Sequence, residues 1–279
     1  MSESPADPTL HEVTRAFESV YDPAWAAPWD AVGLVCGDPA QPVRRVLFAV
    51  DPVAEVVDEA REWGADLLVT HHPLLLRGVT GVAATTPKGR LVHRLISAGT
   101  ALYTAHTNAD TADPGVSDAL AAAVGLPGPL APLDPDPADP AGGRGIGRIG
   151  SLPEPLPLRE FAAQAAAGLP RTAGGIRVSG GPDRPVQRIA VSGGAGDSLL
   201  DRARAAGVDV YLTSDLRHHP ASEFAEHGGP ALIDTAHWAG EWPWLAEGAA
   251  RLASALGPRR ANVEFRVSEI VTDAWSLAL

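Results

Sequence analysis

The sequence predicts an α/β protein built from two similar halves. Its clearest feature is an internal repeat, because residues 43–70 and 186–213 align without a gap at a constant offset of 143 and share eight identical positions. Each copy has a short apolar run, a stretch with helical spacing and a second apolar run. A strand, a helix and a strand in this order form a βαβ unit, whose crossover favours parallel strands. We therefore expect two lobes of the α/β class.

The elements of each copy can be assigned in order. The short apolar runs at 45–50 and 188–191 are typical of strands that are buried on both faces. A helix is expected next, and glycines at the two equivalent positions 64 and 207 indicate where it ends. In the first copy the apolar residues on one helical face are Val53, Val56, Val57, Ala60 and Trp63. The second strand of the repeat is expected to end at Thr70 and Thr213.

The similarity between the halves continues after a spacer of unequal length. In both halves a third apolar run precedes the tripeptide Thr-Ala-His, and an acidic residue stands four positions after the histidine. These pairs are His106 with Asp110 and His237 with Glu241. If the segment is helical, the two side chains of each pair lie one turn apart.

Composition limits the class of protein. The chain has 279 residues, 45% of them hydrophobic, which suffices for one large core or two modest ones. A net charge of −12 argues against strong general binding of nucleic acid. Cys36 is the only cysteine, so an intrachain disulfide and a thiolate metal cage are excluded. The sequence has no apparent signal peptide or membrane span, and we expect a soluble cytoplasmic protein.

Histidines and acids follow the ends of the predicted strands. His71 and His72 follow the second strand of the first copy, and the two His-x-x-x-acid pairs follow the third strand of each half. In open α/β sheets ligands collect outside the carboxyl ends of the strands. Neutral imidazole and carboxylate suit Zn, Fe, Mn, Ni or Co, without distinguishing among them. Four imidazoles and two acids suffice for two ions that keep open positions for water.

Each motif also has a simpler interpretation. A His-x-x-x-acid pair is often a surface contact on a helix. Asp215, which aligns with His72, either orients a metal ligand or caps a helix. The glycine-rich segment 192–197 is either a tight turn between strand and helix or a cradle for an anion. The occurrence of His-x-x-x-acid at matching places of a repeat favours metal binding.

Together the motifs resemble those of a known family. The matching pieces are Trp29-Asp30-x-x-Gly33-Leu34, Thr70-His71-His72-Pro73, His106-Thr107-Asn108-x-Asp110, Ser192-Gly193-Gly194-x-Gly196 and His237-x-x-x-Glu241. In this order they resemble the Nif-three-like dinuclear-metal-centre proteins, often labelled GTP cyclohydrolase I type 2 homologues. Ser214-Asp215 departs from the pattern, because that family usually has Gly-Glu there.

The resemblance implies two interlinked α/β lobes with a metal site between them, two divalent ions and a homohexamer. We expect residues 1–125 and 230–279 in the first lobe and residues 126–229, beginning with the Pro-rich loop, in the second. The metal ligands that the resemblance implies, all in the first lobe, are His71, His72, Asp110, His237 and Glu241, the last as the best bridging candidate. His106 is either a ligand or a donor that contacts one.

The same resemblance implies a function. A pair of divalent ions can lower the pKa of a bridging water and stabilise a developing oxyanion. We therefore expect a metal-dependent hydrolase acting on a nucleotide-like substrate, similar to the ring-opening hydrolysis of GTP. Because the sequence shows no obvious general base outside the ligand set, catalytic residues are not assigned. A non-catalytic metal-binding or regulatory protein is the alternative, and a purely structural ion site is a third interpretation.

Overall fold

The computed structural model describes residues 7–279. Its α-helices are α1 (Leu10–Glu18), α2 (Ala54–Trp63), α3 (Pro87–Ala98), α4 (Thr107–Thr111), α5 (Val116–Ala123), α6 (Leu158–Gly168), α7 (Leu200–Ala205), α8 (His218–Glu226), α9 (His237–Glu241) and α10 (Trp244–Ala255). Its strands are β1 (Gly33–Cys36), β2 (Arg45–Ala49), β3 (Leu67–Thr70), β4 (Ala101–Thr104), β5 (Ala131–Pro135), β6 (Gly145–Pro157), β7 (Arg177–Ser179), β8 (Pro185–Ala195), β9 (Val210–Ser214), β10 (Ala231–Thr235) and β11 (Glu264–Val267). None of the helices in this range combines the length and the apolar run that a membrane crossing requires.

The first sheet contains the first copy of the repeat. Its strand order is β1-β4-β3-β2-β11, and every neighbouring pair is parallel except β1 with β4. The helix α2 connects β2 to β3 and is followed by Gly64. Gly64 has a φ of 73°, a left-handed conformation that glycine adopts easily because it has no Cβ. Val56, Val57 and Ala60 of α2 pack against Leu47 and Leu68 of the sheet. These residues form the predicted βαβ unit.

The second sheet contains the second copy. Its strand order is β5-β6-β8-β9-β10-β7, in which β8, β9 and β10 are parallel and the outer strands are antiparallel. The connection from β8 to β9 passes through a 3₁₀ turn at Asp197–Leu199 and α7. Phe161 and Ala165 of α6 pack with Val191 and Leu212 of the sheet. The predicted α/β class with repeated βαβ units is confirmed.

The chain divides into two compact units at other positions than we expected. Residues up to Ala109 with Leu245–Thr272 form the first, and Asp110–Trp244 with Asp273–Leu279 form the second. The expected first lobe included 110–125 and 230–244, which the structure assigns to the second unit. The reason is that β10 pairs with β9 and β7 while α5 packs against β8. Asp110, His237 and Glu241 therefore belong to the second unit.

The Pro-rich segment is more regular than a loop. Residues 131–135 form β5, which pairs antiparallel with β6 at the edge of the second sheet. Proline lacks an N–H donor and is tolerated on an edge strand because only one side of such a strand pairs. Pro132 and Pro135 lie opposite Arg148 and Gly145. The edge position explains how a Pro-rich sequence can still contain a strand.

Candidate metal centre

Three histidines meet at one edge of the first sheet. His71 and His72 directly follow β3, and His106 follows β4 by two residues. Because β3 and β4 are parallel, with Thr70 opposite Thr104, both strands end at the same edge. One ring nitrogen from each histidine lies within 4.8 Å of the other two. The sequence therefore brings three imidazoles from two strand ends into one cluster.

Each imidazole of this three-histidine cluster has an oxygen acceptor at Nδ1. The pairs are His71 with the carbonyl oxygen of Ala105 at 2.9 Å, His72 with Asp51 Oδ1 at 2.6 Å and His106 with Asp30 Oδ1 at 2.9 Å. A carbonyl or carboxylate oxygen can only accept, so Nδ1 carries the proton. The lone pair of each neutral ring then sits on Nε2, where it can bind a metal ion.

Asp30 is built into the fold behind His106. Its side chain has no accessible surface. The backbone N–H of Thr107 donates to Oδ2 at 3.0 Å, and the Thr107 hydroxyl donates to the same oxygen. Burial acts to raise the pKa of Asp30, but the hydrogen bonds from His106 and Thr107 outweigh it and hold that pKa well below its ordinary value. The indole of Trp29 packs edge-on against His106, with ring centroids 5.9 Å apart.

The second unit pairs a histidine with a buried acid. His237 and Glu241 begin and end the short helix α9, which follows β10. His237 Nε2 lies 3.0 Å from Glu241 Oε1, and the Glu241 side chain is only 3% exposed. The i, i+4 spacing predicted this approach. A neutral imidazole and a carboxylate would present two acceptors to each other, so an imidazolium or a shared cation is needed to make the approach favourable.

Asp215 holds the His237 ring. Its Oδ2 lies 2.7 Å from His237 Nδ1, which repeats the arrangement seen at His72 and His106. Within residues 7–279 Asp215 is the one non-glycine residue at positive φ, with a value of 58°. Aspartate tolerates this left-handed conformation better than most residues, though at some strain. Of the two interpretations of Asp215, the contact with His237 favours the one in which it orients a ligand.

The glycine-rich segment lies directly against the His237–Glu241 pair. Gly194 has a φ of 69°, and a Cβ there would approach Glu241 Oε1 to 2.7 Å. A Cβ on Gly196 would meet the Thr213 hydroxyl at 2.0 Å and the Tyr211 hydroxyl at 2.3 Å. The glycines therefore allow the end of β8 to pack closely on α9 and β9. This packing accounts for the segment without any bound anion.

The structure brings together part of the predicted ligand set within each unit. His71, His72 and His106 cluster in the first unit, and His237 contacts Glu241 in the second. Asp110 lies in α4 and is partly buried. Sequence reasoning missed Asp51, whose only signal was its position directly after the first strand of the repeat. It also missed that the carboxylate of Asp30, which was named only as part of a motif, accepts a hydrogen bond from His106.

The donor chemistry fits divalent transition ions. Three imidazoles that each have an oxygen acceptor at Nδ1, and a further imidazole beside a buried carboxylate, match the ligands that Zn, Fe, Mn, Ni and Co prefer. Acceptors behind the ligating histidines are typical of metal sites, where they fix the ring and raise its basicity. The residues present therefore could hold such ions.

Known proteins with similar sequences match nearly the whole chain. A protein of Streptomyces coelicolor described as "GTP cyclohydrolase 1 type 2 homolog" is 58% identical over 269 residues, covering 96% of this chain and 94% of its own. A Mycobacterium tuberculosis protein with the same description is 40% identical and covers 96% of this chain and 97% of its own. The match to the Streptomyces coelicolor protein spans nearly all of both chains, whereas the alignment with the Mycobacterium tuberculosis protein extends over 372 residues and so includes residues that this chain lacks.

Solved structures show the same fold. The crystal structure of a Bacillus cereus protein related to NIF3 has a TM-score of 0.88 at 26% identity, covering 98% of this chain and all of that one. Reduced HcgD from Methanocaldococcus jannaschii has a TM-score of 0.75 at 27% identity and covers 95% of this chain and 99% of its own. The Duf34/NIF3 family (NGG1p interacting factor 3) matches residues 8–274. On this evidence the chain belongs to the Duf34/NIF3 family.

Proposed function

We propose that this protein binds two divalent metal ions and hydrolyses a nucleotide-like substrate. The observation that carries the proposal is the oxygen acceptor at Nδ1 of each of four histidines, which directs the lone pair of each ring to Nε2, the atom that would bind a metal ion. The proposed ligands are His71, His72, Asp110, His237 and Glu241, with His106 as a further ligand or a donor that contacts one. The repeat supports the two His-x-x-x-acid pairs of this set, because equivalent strand ends supply them.

The ions would supply a water of lowered pKa and positive charge against a developing oxyanion. The protein's own groups have separate tasks. Asp51, Asp30 and Asp215 accept from Nδ1 of their histidines, which fixes the orientation of each ring and directs its lone pair to Nε2. Glu241 is buried and negative beside His237, so it favours the approach of a cation.

The nucleotide-like substrate rests on the descriptions of the relatives. Proteins of Streptomyces coelicolor and Mycobacterium tuberculosis are described as homologues of GTP cyclohydrolase 1 type 2. We expect metal-loaded protein to release formate from GTP or to cleave a related nucleotide. The measurement is product formation by chromatography across a panel of nucleotides.

Variants test the assignment of the ligands. We expect His72→Ala and Glu241→Ala to lower both bound metal and turnover. His218→Ala, an exposed histidine of α8, is the matched control and should behave like wild type. Equal metal content and equal rates in all four proteins would refute the proposal.

A non-catalytic metal-binding protein is the second candidate, and one observation favours it. Three acids near the histidines, Asp30, Asp51 and Asp215, already accept from imidazoles, so none of them is available as a general base. Tight metal binding by titration together with a silent substrate screen would support this candidate. Unfolding of the chain on chelation would instead support a structural ion.

We also propose that the protein assembles as a homohexamer, as the resemblance implies. Light scattering coupled to size-exclusion chromatography tests this directly. A monomeric or dimeric mass at micromolar concentration would contradict it.

A further inference from the structure

A cavity of about 450 Å³ adjoins the three-histidine cluster within the first unit. His72 and Asp51 form one side of it, and α3 forms another. Its volume lies within the range typical of small-molecule sites. The cavity is therefore a place where a substrate could lie next to His72.

The walls of this cavity are mainly apolar and stiff. Pro52 and Pro73 follow the ends of β2 and β3, and Pro87 begins α3. Leu74 and Leu91 complete the apolar surface. Proline rings have a fixed φ, so little conformational entropy is lost when a ligand contacts them. Such a surface suits a flat or weakly polar group.

Cationic side chains border the same cavity. Lys88, Arg90 and Arg94 all come from α3. Arg94 pairs with Asp58, and the Arg90 guanidinium donates to the carbonyl oxygens of Ala84 and Thr85. In residues 7–279 Lys88 forms no ion pair. Two of the three cations therefore keep charge that no acid neutralises.

This concentration of positive charge is unusual for the chain. Lys88 is the only lysine in a protein of net charge −12. Lys88 lies in the first turn of α3, where the helix dipole adds partial positive charge. The one acid that lines the cavity, Asp51, is engaged with His72 and Thr272. The local field therefore favours an anion.

We propose that this cavity binds a nucleoside polyphosphate, with the phosphates at Lys88 and Arg90 and the nucleoside on the apolar surface. The inference rests on the proposed function and specifies how its substrate is held. Charge complementarity selects the phosphates, and the apolar surface selects the flat base by shape. Every base has a flat π-face that can lie on this apolar surface, so guanine and adenine nucleotides bind with similar affinity.

Binding to the full-length chain in chelator tests this inference apart from catalysis. We expect calorimetry to show guanosine diphosphate binding at least about tenfold more tightly than guanosine, because charge-assisted hydrogen bonds to phosphate are lost with the nucleoside. Adenosine diphosphate should bind with an affinity within about threefold of that of guanosine diphosphate.

Variants test the two cations. Lys88→Gln and Arg90→Gln should each weaken diphosphate binding by about tenfold and leave guanosine binding unchanged. Arg202→Gln, an exposed arginine on α7, is the control and should bind like wild type.

The single lysine allows a second, independent measurement. Acylation of the full-length protein with acetic anhydride modifies Lys88, and peptide mass spectrometry separates it from the N-terminal amine. We expect guanosine diphosphate to slow the acylation of Lys88 and guanosine to leave it unchanged. Equal acylation rates with and without diphosphate would overturn the inference.

The two proposals fail in different ways. Unchanged diphosphate affinity in Lys88→Gln and Arg90→Gln overturns the nucleotide pocket but leaves metal binding intact. Lys88-dependent diphosphate binding by a protein that shows no turnover supports the pocket and contradicts the hydrolase. Stronger binding of guanosine than of guanosine diphosphate would overturn the assignment of the phosphates.

Discussion

At the residue scale, the groups behind the histidines determine what the histidines can do. All four rings carry a proton on Nδ1 and the lone pair on Nε2, although the acceptor at Nδ1 is a backbone carbonyl in one case and a carboxylate in three. His106 and His237 could be predicted from the sequence because they recur at equivalent strand ends, and His71 and His72 because they directly follow a predicted strand. Asp51 could not, since a single aspartate after a strand is common. Asp215 was open to two interpretations until its contact with His237 was known.

Replacing the carboxylate behind one ligand should weaken metal binding without unfolding the chain. Asp215→Asn keeps the shape of the side chain and tolerates a φ of 58°, but it removes the negative charge at His237 Nδ1. We expect about tenfold weaker binding of cobalt or zinc, measured by competitive titration. Asp201→Asn, an exposed aspartate of α7, should bind metal normally. Equal affinities in the two variants would mean that Asp215 has no role in orienting His237.

Alanine substitutions at two glycines can distinguish the cost of backbone strain from the cost of steric crowding. Gly194 and Gly207 have similar φ values, 69° and 64°, but only at Gly194 would a Cβ meet a neighbour. We expect each alanine variant to lose about 1 kcal/mol from the backbone alone, and Gly194→Ala to lose more and to bind metal weakly because Glu241 must move. Urea unfolding and metal titration measure the two effects. Normal metal binding by Gly194→Ala would contradict the close packing of β8 on Glu241.

The lone thiol should react slowly. Burial raises the pKa of Cys36, and a hydrogen bond from the backbone N–H of Leu102 only partly opposes it. Because the thiolate is the reactive form, a raised pKa means less thiolate at pH 8 than a free cysteine has. We expect slow alkylation by iodoacetamide at pH 8 that accelerates above pH 9 and in urea. Reaction at the rate of free cysteine in the folded protein would contradict this prediction.

At the scale of elements, the repeat correctly predicted helices and strands where the local sequence pattern and the tertiary packing favour the same structure. Both βαβ units follow from a buried apolar run, an amphipathic stretch and a glycine after the helix. The edge strand β5 did not follow, because its prolines indicate a loop when read alone and pairing with β6 is decided by the partner strand.

Arg148 joins β6 to α5 and to the segment before α5 from a buried position. It lies on β6, is 1% exposed, and donates to Asp118 of α5 and to the carbonyl oxygens of Ala112, Gly145 and Gly147. Its planar guanidinium can make all these bonds at once, whereas an ammonium group cannot. The residue therefore ties α5 to the second sheet.

Arg148→Lys should consequently destabilise the second unit despite keeping the charge. We expect a loss of about 2–4 kcal/mol, because buried carbonyl groups and Asp118 lose their donors. Arg204→Lys, at an exposed ion pair with Asp201, should change stability by less than about 0.5 kcal/mol. Denaturant unfolding measures both. A loss at Arg148 as small as that at Arg204 would contradict the role of the guanidinium.

At the scale of the whole molecule, the fold class could be predicted but the division of the chain could not. A Pro-rich segment suggested the boundary, yet the break in contacts falls within α4, at Ala109 and Asp110. The reason is physical: units are set by which strands pair, and β10 joins β9 in the way that β4 joins β3.

Metal should stabilise the chain without being required for its fold. Each unit buries an apolar cluster of its own, with Leu47, Val56 and Leu68 in the first and Phe161, Val191 and Leu212 in the second, and apolar burial is the main stabilising contribution to folding. We expect the circular dichroism spectrum to survive chelation, and Tm to rise by about 5–10 °C when free zinc reaches about 100 times its Kd. Differential scanning calorimetry with and without zinc measures this shift. Loss of the spectrum on chelation would instead assign the ions a structural role.

The position of β11 has a consequence for synthesis on the ribosome. This strand forms the outer neighbour of β2, yet it is translated after the other four strands of its sheet and after all six strands of the second sheet. The second sheet, in contrast, has all its strands once Thr235 has been added. A nascent or prematurely ended chain therefore exposes the backbone of β2 along one side, where another nascent chain can pair. Chains that end before Glu264 should therefore aggregate or be proteolysed.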